Sequence, residues 1–183
     1  MFEIGPGPGG LTRALFLEGA EKVIAIEKDH RAIQFLEHIV TATDGHLALL
    51  EEDAMRQPIW KMGNAPRKIV ANLPYNIATA LLLRWLAHAN AFVSLTLMFQ
   101  KEVAERLVAQ PGEKAYGRLS VLTQWLCNAE LKFDVPPQAF IPPPKVISSV
   151  VHLIPRRRPL YDCRKEDLET TTTIAFGQRR KML

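Results

Sequence analysis

Two hydrophobic periods alternate along the first 109 residues, and this alternation limits the chain to few folds. Runs rich in branched apolar residues, typical of strands, are followed by segments whose apolar residues recur at helical spacing. Strands are predicted at residues 22–27, 46–50, 67–71 and 92–99, and helices at residues 11–17, 32–40, 78–88 and 102–109. Alternating strands and helices are typical of an α/β protein with a mostly parallel sheet.

The pattern changes after Trp125. Two further strands are predicted at residues 131–135 and 146–154, joined by a proline-rich connection with no helix between them. So short a return between strands implies an antiparallel pair at one edge of the sheet. Residues 155–159 form a candidate boundary, and residues 165–176 are predicted to be the first helix of a further segment.

Composition excludes several classes of protein. With 48% hydrophobic and 23% charged residues, a chain of 183 residues has the composition of one globular domain. Its longest apolar stretch, residues 91–99, is too short to cross a bilayer, and its first residues lack the pattern of a secretory signal. Cys127 and Cys163 have no metal-binding spacing. We therefore expect a cytoplasmic protein with free thiols, no metal and no membrane segment.

Positive charge is concentrated at the carboxyl end. Residues 1–154 hold fifteen basic and fifteen acidic side chains, whereas residues 155–183 hold eight basic and four acidic ones. The excess forms two clusters: Arg156, Arg157, Arg158 and Arg179, Arg180, Lys181. Such clusters suit a phosphate backbone, and a solvated surface is the alternative interpretation.

A glycine-rich segment, residues 3–10, follows the first predicted strand and opens a helix. Glycines let the backbone approach a ligand, and the helix amino terminus offers unpaired N–H groups. Gly5, Gly7 and Gly10 match the G-x-G-x-x-G pattern of dinucleotide-binding proteins. Glu27 ends the second strand, where an acid can accept both ribose hydroxyls. Together these features predict a nucleoside cofactor, either a dinucleotide or S-adenosylmethionine.

Two further positions bear on the choice of cofactor. Asp53 follows the third strand and could accept a hydrogen bond from an adenine amine, although such a residue is often a turn residue. Asn72-Leu73-Pro74-Tyr75 ends the fourth strand, at the edge where open α/β sheets bind ligands. The Asn72 side chain and a main-chain carbonyl fixed by Pro74 can both accept from one amine, while Tyr75 offers a stacking face. Such acceptors favour attack of an adenine amine on a methylsulfonium.

With these segments in place, the sequence resembles the rRNA adenine N6,N6-dimethyltransferase family. The matching segments follow the family's order over nearly the whole chain: residues 3–7, 23–27, 52–54, 72–76, 100–103, 115–121 and 140–146. Leu73, residues 116–121 and residues 142–146 resemble the branch that acts on the small ribosomal subunit more than the macrolide-resistance branch.

The resemblance implies a Rossmann-like class I methyltransferase fold, with residues 1–155 as the catalytic domain that binds S-adenosylmethionine. Residues 156–183 would begin a helical RNA-binding domain that includes both basic clusters. Donor contacts are implied at Glu3, Gly5, Gly7, Glu27, Asp53 and Asn72. The target amine would lie among Asn72, Leu73, Pro74 and Tyr75, with Phe140 on the other face of the adenine. The implied partner is 16S rRNA in the small subunit, bound by a monomer.

The sequence also departs from the family's pattern. An amino-terminal segment that covers the donor, and most of a carboxyl-terminal helical domain, have no counterpart here. We therefore expect the first strand, residues 2–4, to be too short to pair on both sides, and the glycine turn to be anchored at one end only. Donor binding would then be weak. Two other functions stay open: a non-catalytic RNA-binding assembly factor and an NAD-dependent oxidoreductase.

Overall fold

The computed structural model describes residues 1–177 and confirms an α/β fold around one seven-stranded sheet. The strands are β1 (Phe2–Ile4), β2 (Val23–Glu27), β3 (Leu47–Glu51), β4 (Lys68–Asn72), β5 (Ser94–Gln100), β6 (Cys127–Val135) and β7 (Ser148–Pro155). The α-helices within the described range are α1 (Gly10–Leu17), α2 (His30–Ala42), α3 (Tyr75–Leu86), α4 (Lys101–Val108), α5 (Arg118–Leu126) and α6 (Lys165–Gly177). The strand order is β3-β2-β1-β4-β5-β7-β6.

Contacts along the chain define two compact units, Met1–Met98 and the residues from Phe99 onward. This division reflects the density of contacts within each unit and does not test the boundary between functional domains that is predicted after residue 155. That boundary stays a prediction. None of the helices in the described part of the chain is both long and apolar enough to cross a membrane.

The first unit is built on parallel strands, with β1 between β2 and β4. The chain passes from β1 outward to β2 and β3, then returns to the other side of β1 for β4. Loops that leave the carboxyl ends of strands at such a reversal diverge and open a crevice for ligands. The glycine turn after β1 and Asn72 at the end of β4 flank this crevice.

The expectation that the first strand is too short to pair on both sides is wrong. All three residues of β1 pair with β2 and also with β4, and Phe2 and Ile4 are buried. The Gly5 N–H extends the ladder by donating to the Ile26 carbonyl at 2.9 Å. A strand inside a sheet needs one ladder of hydrogen bonds on each side. The three residues of β1 form both ladders, and the Gly5 bond lengthens the ladder with β2.

The glycine turn is also anchored at more than one end, contrary to expectation. Beyond the Gly5 bond, the Gly9 N–H donates to the Pro6 carbonyl at 3.0 Å, and the Gly7 N–H donates to a Glu27 carboxylate oxygen at 3.2 Å. Because the turn is bonded to itself and to β2, its conformation is fixed locally.

The second unit contains the predicted antiparallel pair, β6 with β7, with a register shift between Leu131 and Phe133. The sequence pattern did not predict α5. Its buried residues include Ser120 and Thr123 beside Trp125, and these polar side chains hide the helical period. The predicted helix at residues 165–176 is confirmed as α6.

Candidate active site

The glycine turn gives the crevice its shape, and two of its glycines show why. Gly9 has φ +86°, and a Cβ atom there would lie 2.4 Å from Ile39 Cδ1 and 2.7 Å from Leu36 Cδ2 on α2. Gly10, the third glycine of the dinucleotide pattern, would meet nothing within 4 Å. The dinucleotide fingerprint needs a glycine at its third position for close packing. Since the close approach occurs at Gly9, the match at Gly10 is fortuitous and the oxidoreductase alternative loses its support.

Glu27 is held by main-chain groups on both sides of its carboxylate. Oε1 accepts hydrogen bonds from the Lys28 N–H at 2.7 Å and the Asp29 N–H at 2.8 Å. Oε2 accepts from the Gly7 N–H at 3.2 Å. The carboxylate therefore faces the glycine turn in one fixed orientation, with acceptor capacity left on Oε2.

Asp53 lies opposite the end of β2 and is joined to it by an ion pair. Its Oδ2 is 3.1 Å from Lys28 Nζ, and its Oδ1 accepts from the Met55 N–H at 2.9 Å. The Met55 hydrogen bond, and then the Lys28 ammonium, lower the pKa of Asp53. Asp53 is thus an anion that acts only as an acceptor. Sequence reasoning missed Lys28, although its place next to Glu27 and ahead of a helix was a visible signal.

Asn72 to Tyr75 form the corner between β4 and α3. Asn72 and Pro74 are exposed, Leu73 is buried, and Tyr75 is half-buried at the start of α3. The Pro74 carbonyl accepts from the N–H groups of Ile77 and Ala78, both at 3.1 Å. This carbonyl is therefore committed to the helix.

Glu3 is wholly buried in β1, and neither of its carboxylate oxygens has a hydrogen-bond partner among residues 1–177. Burial raises the pKa of Glu3 to about 7, and the nearby Thr12 hydroxyl offsets part of the rise. Thr12 is buried in the first turn of α1, a helix that begins without a side-chain cap. An unpartnered acid and an uncapped helix end therefore lie on either side of the glycine turn.

In the first unit, the loops at the carboxyl ends of the parallel strands therefore carry the predicted site residues Gly5, Gly7, Glu27, Asp53 and Asn72 to Tyr75. Phe140 lies in the second unit, half-buried on the connection between β6 and β7. No group of three or more His, Cys, Asp or Glu side chains within residues 1–177 is placed to hold a metal ion.

The basic clusters have different surroundings. The Arg156 guanidinium Nε donates to the Gln124 carbonyl at 3.0 Å, whereas Arg157 and Arg158 are exposed. Arg179, Arg180 and Lys181 fall outside the described residues.

Comparison with known proteins identifies the family of this chain. The model of the family described as ribosomal RNA adenine dimethylase matches residues 1–183. The chain belongs to this family. Among curated relatives, the ribosomal RNA small subunit methyltransferase A of Rhodospirillum rubrum is 57% identical over 183 residues. That match covers all of this chain and 64% of the relative, so the chain spans about two-thirds of the relative's length.

Two solved methyltransferase structures share the fold. A dimethyladenosine transferase from Plasmodium falciparum superposes with a TM-score of 0.81 at 32% identity, over 100% of this chain and 64% of that one. The 23S rRNA methyltransferase ErmE superposes with a TM-score of 0.78 at 27% identity, over 97% of this chain and 70% of that one. These similarities confirm the Rossmann-like methyltransferase fold that the sequence predicted.

Proposed function

We propose that this chain binds S-adenosylmethionine and dimethylates N6 of adenines in 16S rRNA of the small ribosomal subunit during its assembly. The observation that carries the proposal is the convergence of Glu27, Asp53 and Asn72 on the loops around one fixed glycine turn, in a chain of the adenine dimethylase family. A polar set of this kind at the reversal point of a parallel sheet is the usual position of an adenosine ligand.

The donor site fits the chemical parts of S-adenosylmethionine. The ribose hydroxyls would take the free acceptor capacity of Glu27, and the adenine amine would donate to Asp53, whose lowered pKa keeps it an acceptor. The uncapped first turn of α1 would receive the donor's carboxylate, since helix amino termini favour anions. When bound, the cofactor supplies a methyl group on a positively charged sulfur.

Glu3 would act as a positioning residue beneath this site rather than by direct contact, because its side chain has no exposed surface. With a pKa of about 7, its carboxyl group is partly protonated at neutral pH and fully protonated at lower pH, and the Thr12 hydroxyl at the start of α1 lies near it.

At the acceptor site, two oxygens would accept hydrogen bonds from the target amine. One is the side-chain oxygen of Asn72, and the other is the main-chain carbonyl of Leu73, which directly precedes Pro74. The Pro74 carbonyl cannot serve, because it accepts two helix N–H groups. Two acceptors favour a pyramidal amine with an available lone pair, so no strong base is needed before attack. Tyr75 would stack on the adenine, which must first leave its stack in the RNA. The stacking role that the family resemblance implies for Phe140 stays a prediction.

In-line transfer requires that the amine nitrogen, the methyl carbon and the sulfur be held in a line. The protein would therefore catalyse the reaction mainly by positioning and electrostatics. Arg157 and Arg158 would contact RNA phosphates, because both are exposed. Arg156 also has a structural role, because its guanidinium Nε donates to the Gln124 carbonyl, and its contact with RNA stays a prediction.

Methyl transfer from labelled S-adenosylmethionine to undermethylated small subunits tests the proposal. We expect label in N6,N6-dimethyladenosine after digestion of the 16S rRNA. Glu27→Ala should abolish donor binding, whereas Glu37→Ala, which removes an exposed acid on α2, should not. RNA binding with no label in adenosine would instead support the non-catalytic assembly factor.

A further inference from the structure

Residues 115–121 match the family but have no part in the proposed reaction. The first six of them, residues 115–120, line a cavity in the second unit. The cavity has a volume of about 660 Å³ and is bounded by α4, the connection to α5, the first turn of α5 and the end of α6. Binding pockets for small molecules typically measure about 300–1,000 Å³. A single nucleotide falls within that range.

Two aromatic rings form one side of this cavity. The ring centroids of Tyr116 and Phe176 are 5.9 Å apart, and their planes meet at 69°. In an edge-to-face pair, at least one face of each ring stays free of the other. Both side chains are half-buried, so the rings are held in place and still reach the cavity. Nucleobases stack on such faces with little preference for sequence.

The charged residues that line the cavity are three cations, Arg106, Lys114 and Arg118, and two acids, Glu102 and Glu105. Arg106 forms an ion pair with Glu102 on α4, so this pair adds no net charge. Lys114 and Arg118 also line the cavity. Arg118 is exposed and forms no ion pair with any residue in the described range.

Arg118 also borders an adjoining cleft that contains Glu166 and Glu169, and neither acid lies at ion-pair distance from it. The guanidinium therefore keeps its donors for an incoming phosphate, a group that it matches in shape and charge. The cavity thus combines a stacking surface with cations, which are the two elements of single-strand recognition.

We propose that this cavity binds one unpaired nucleotide of the RNA substrate, with its base on the Tyr116–Phe176 pair and its phosphate on Arg118 and Lys114. The proposal rests on the proposed function for the presence of RNA. Its binding residues lie wholly in the second unit and are separate from Glu27, Asp53 and Asn72. None of these residues belongs to the set assigned to the methylated adenine, so the ligand proposed for the cavity is a second nucleotide of the same RNA.

Fluorescence anisotropy with a short, fluorescein-labelled single-stranded RNA tests the site at several salt concentrations. Tyr116→Leu should weaken binding by about tenfold with an unchanged salt dependence, because the stacking face is removed and the charge is kept. Tyr116→Phe should bind like the unchanged protein. Arg118→Gln should weaken binding and lower the slope of log K against log salt by about 0.7, because one phosphate is no longer neutralised.

Lys132→Gln is the matched control, since it removes one cation of the second unit that does not line the cavity. The proposal is overturned if Tyr116→Leu and Arg118→Gln bind no worse than this control. It is also overturned if both variants change the salt slope alike, because stacking and charge would then not be separable.

Photocrosslinking of the unchanged protein decides the matter if either variant fails to fold. With RNA that carries 4-thiouridine, adducts on the peptides containing Tyr116 or Phe176 support the cavity, and adducts only elsewhere overturn it. Donor binding, measured by calorimetry with S-adenosylmethionine, and methyl transfer are measured on the same proteins. Normal methyl transfer with unaffected cavity variants contradicts only the cavity, whereas no methyl transfer by the unchanged protein contradicts the proposed function.

Discussion

Glu3 has the environment least suited to its charged form, because a carboxyl group with no exposed surface and no partner among the described residues occupies the centre of the sheet. Its pKa is about 7 in the folded protein against 4.5 ordinarily, so the folded state binds more protons between these values. The contribution of Glu3 to stability is therefore fully present below about pH 4.5 and is lost as the pH rises from there through about 7. The difference between the two pKa values corresponds to a loss of about 3 kcal/mol.

Replacing Glu3 by Gln should therefore reduce the loss of stability between pH 5 and pH 8. The difference between the urea unfolding midpoints at pH 5 and pH 8 measures this loss. Glu18→Gln, which alters an exposed acid next to α1, should leave the wild-type pH dependence in place. An unaltered difference between pH 5 and pH 8 in Glu3→Gln would show that another group causes it.

Asn72 is the residue on which the proposed chemistry depends most. Asn72→Ala removes one of two acceptors for the target amine, and loss of one preorganised group typically costs about 10²–10³ in rate. RNA affinity should change little, because phosphate contacts supply most of it. Methyl transfer and RNA titrations on the same preparation separate the two effects. Asn90→Ala, at an exposed turn, is the control, and near-normal dimethylation by Asn72→Ala would refute the role.

At the scale of elements, two adjacent glycines before and within α1 should respond in opposite ways. Gly9→Ala places a Cβ within 2.4 Å of Ile39 on α2 at a backbone with φ +86°, so it should destabilise the protein by about 2–4 kcal/mol. Gly10→Ala meets no atom and should be neutral or raise stability by up to about 1 kcal/mol. Thermal unfolding of both variants measures this. Equal effects would mean that the packing of the turn on α2 is not what requires glycine.

Elements with a clear hydrophobic period were predictable from sequence. The strands of the first unit and helices α1 to α4 lie within three residues of their predicted positions. α5 was missed because its buried face carries Ser120 and Thr123. The double pairing of β1 was also missed, because the Gly5 bond that extends the strand cannot be read from a three-residue run.

For the candidate site, sequence order placed Glu27, Asp53 and Asn72 at strand ends, and parallel strands bring such ends to one edge. Orientation could not be predicted, since it depends on interactions such as the Lys28–Asp53 ion pair and the use of the Pro74 carbonyl by α3. The roles assigned to these residues stay predictions.

Across the whole molecule, charge divides unevenly between the two units. Fourteen of the 23 Lys and Arg residues, but only nine of the 19 Asp and Glu residues, come after residue 98. The second unit therefore carries the positive charge that RNA would meet. Replacing Arg157 and Arg158 by Gln should weaken RNA binding and lower its salt slope by about 0.7–0.9 for each phosphate that is no longer neutralised.

Arg156→Gln should instead lower stability by about 1–2 kcal/mol, because the Gln124 carbonyl loses a charged donor. Denaturant midpoints and RNA titrations on both sets of variants make the comparison. If Arg156→Gln altered the salt slope and the other pair altered stability, the structural assignment of these three arginines would be reversed.

The position of β1 has a consequence for biosynthesis. Phe2 pairs with Ile24 on one side and with Ile69 on the other, so the second ladder joins residues 67 positions apart. At about 5–20 residues per second, roughly 3–13 s of translation separate the two halves of this pairing. For the last 45 residues of that interval, from Ile24 to Ile69, the apolar Phe2 and Ile4 have only one of their two neighbouring strands. The nascent chain therefore presents an open strand edge at the future centre of its sheet, a natural target for a holding chaperone until β4 leaves the ribosome.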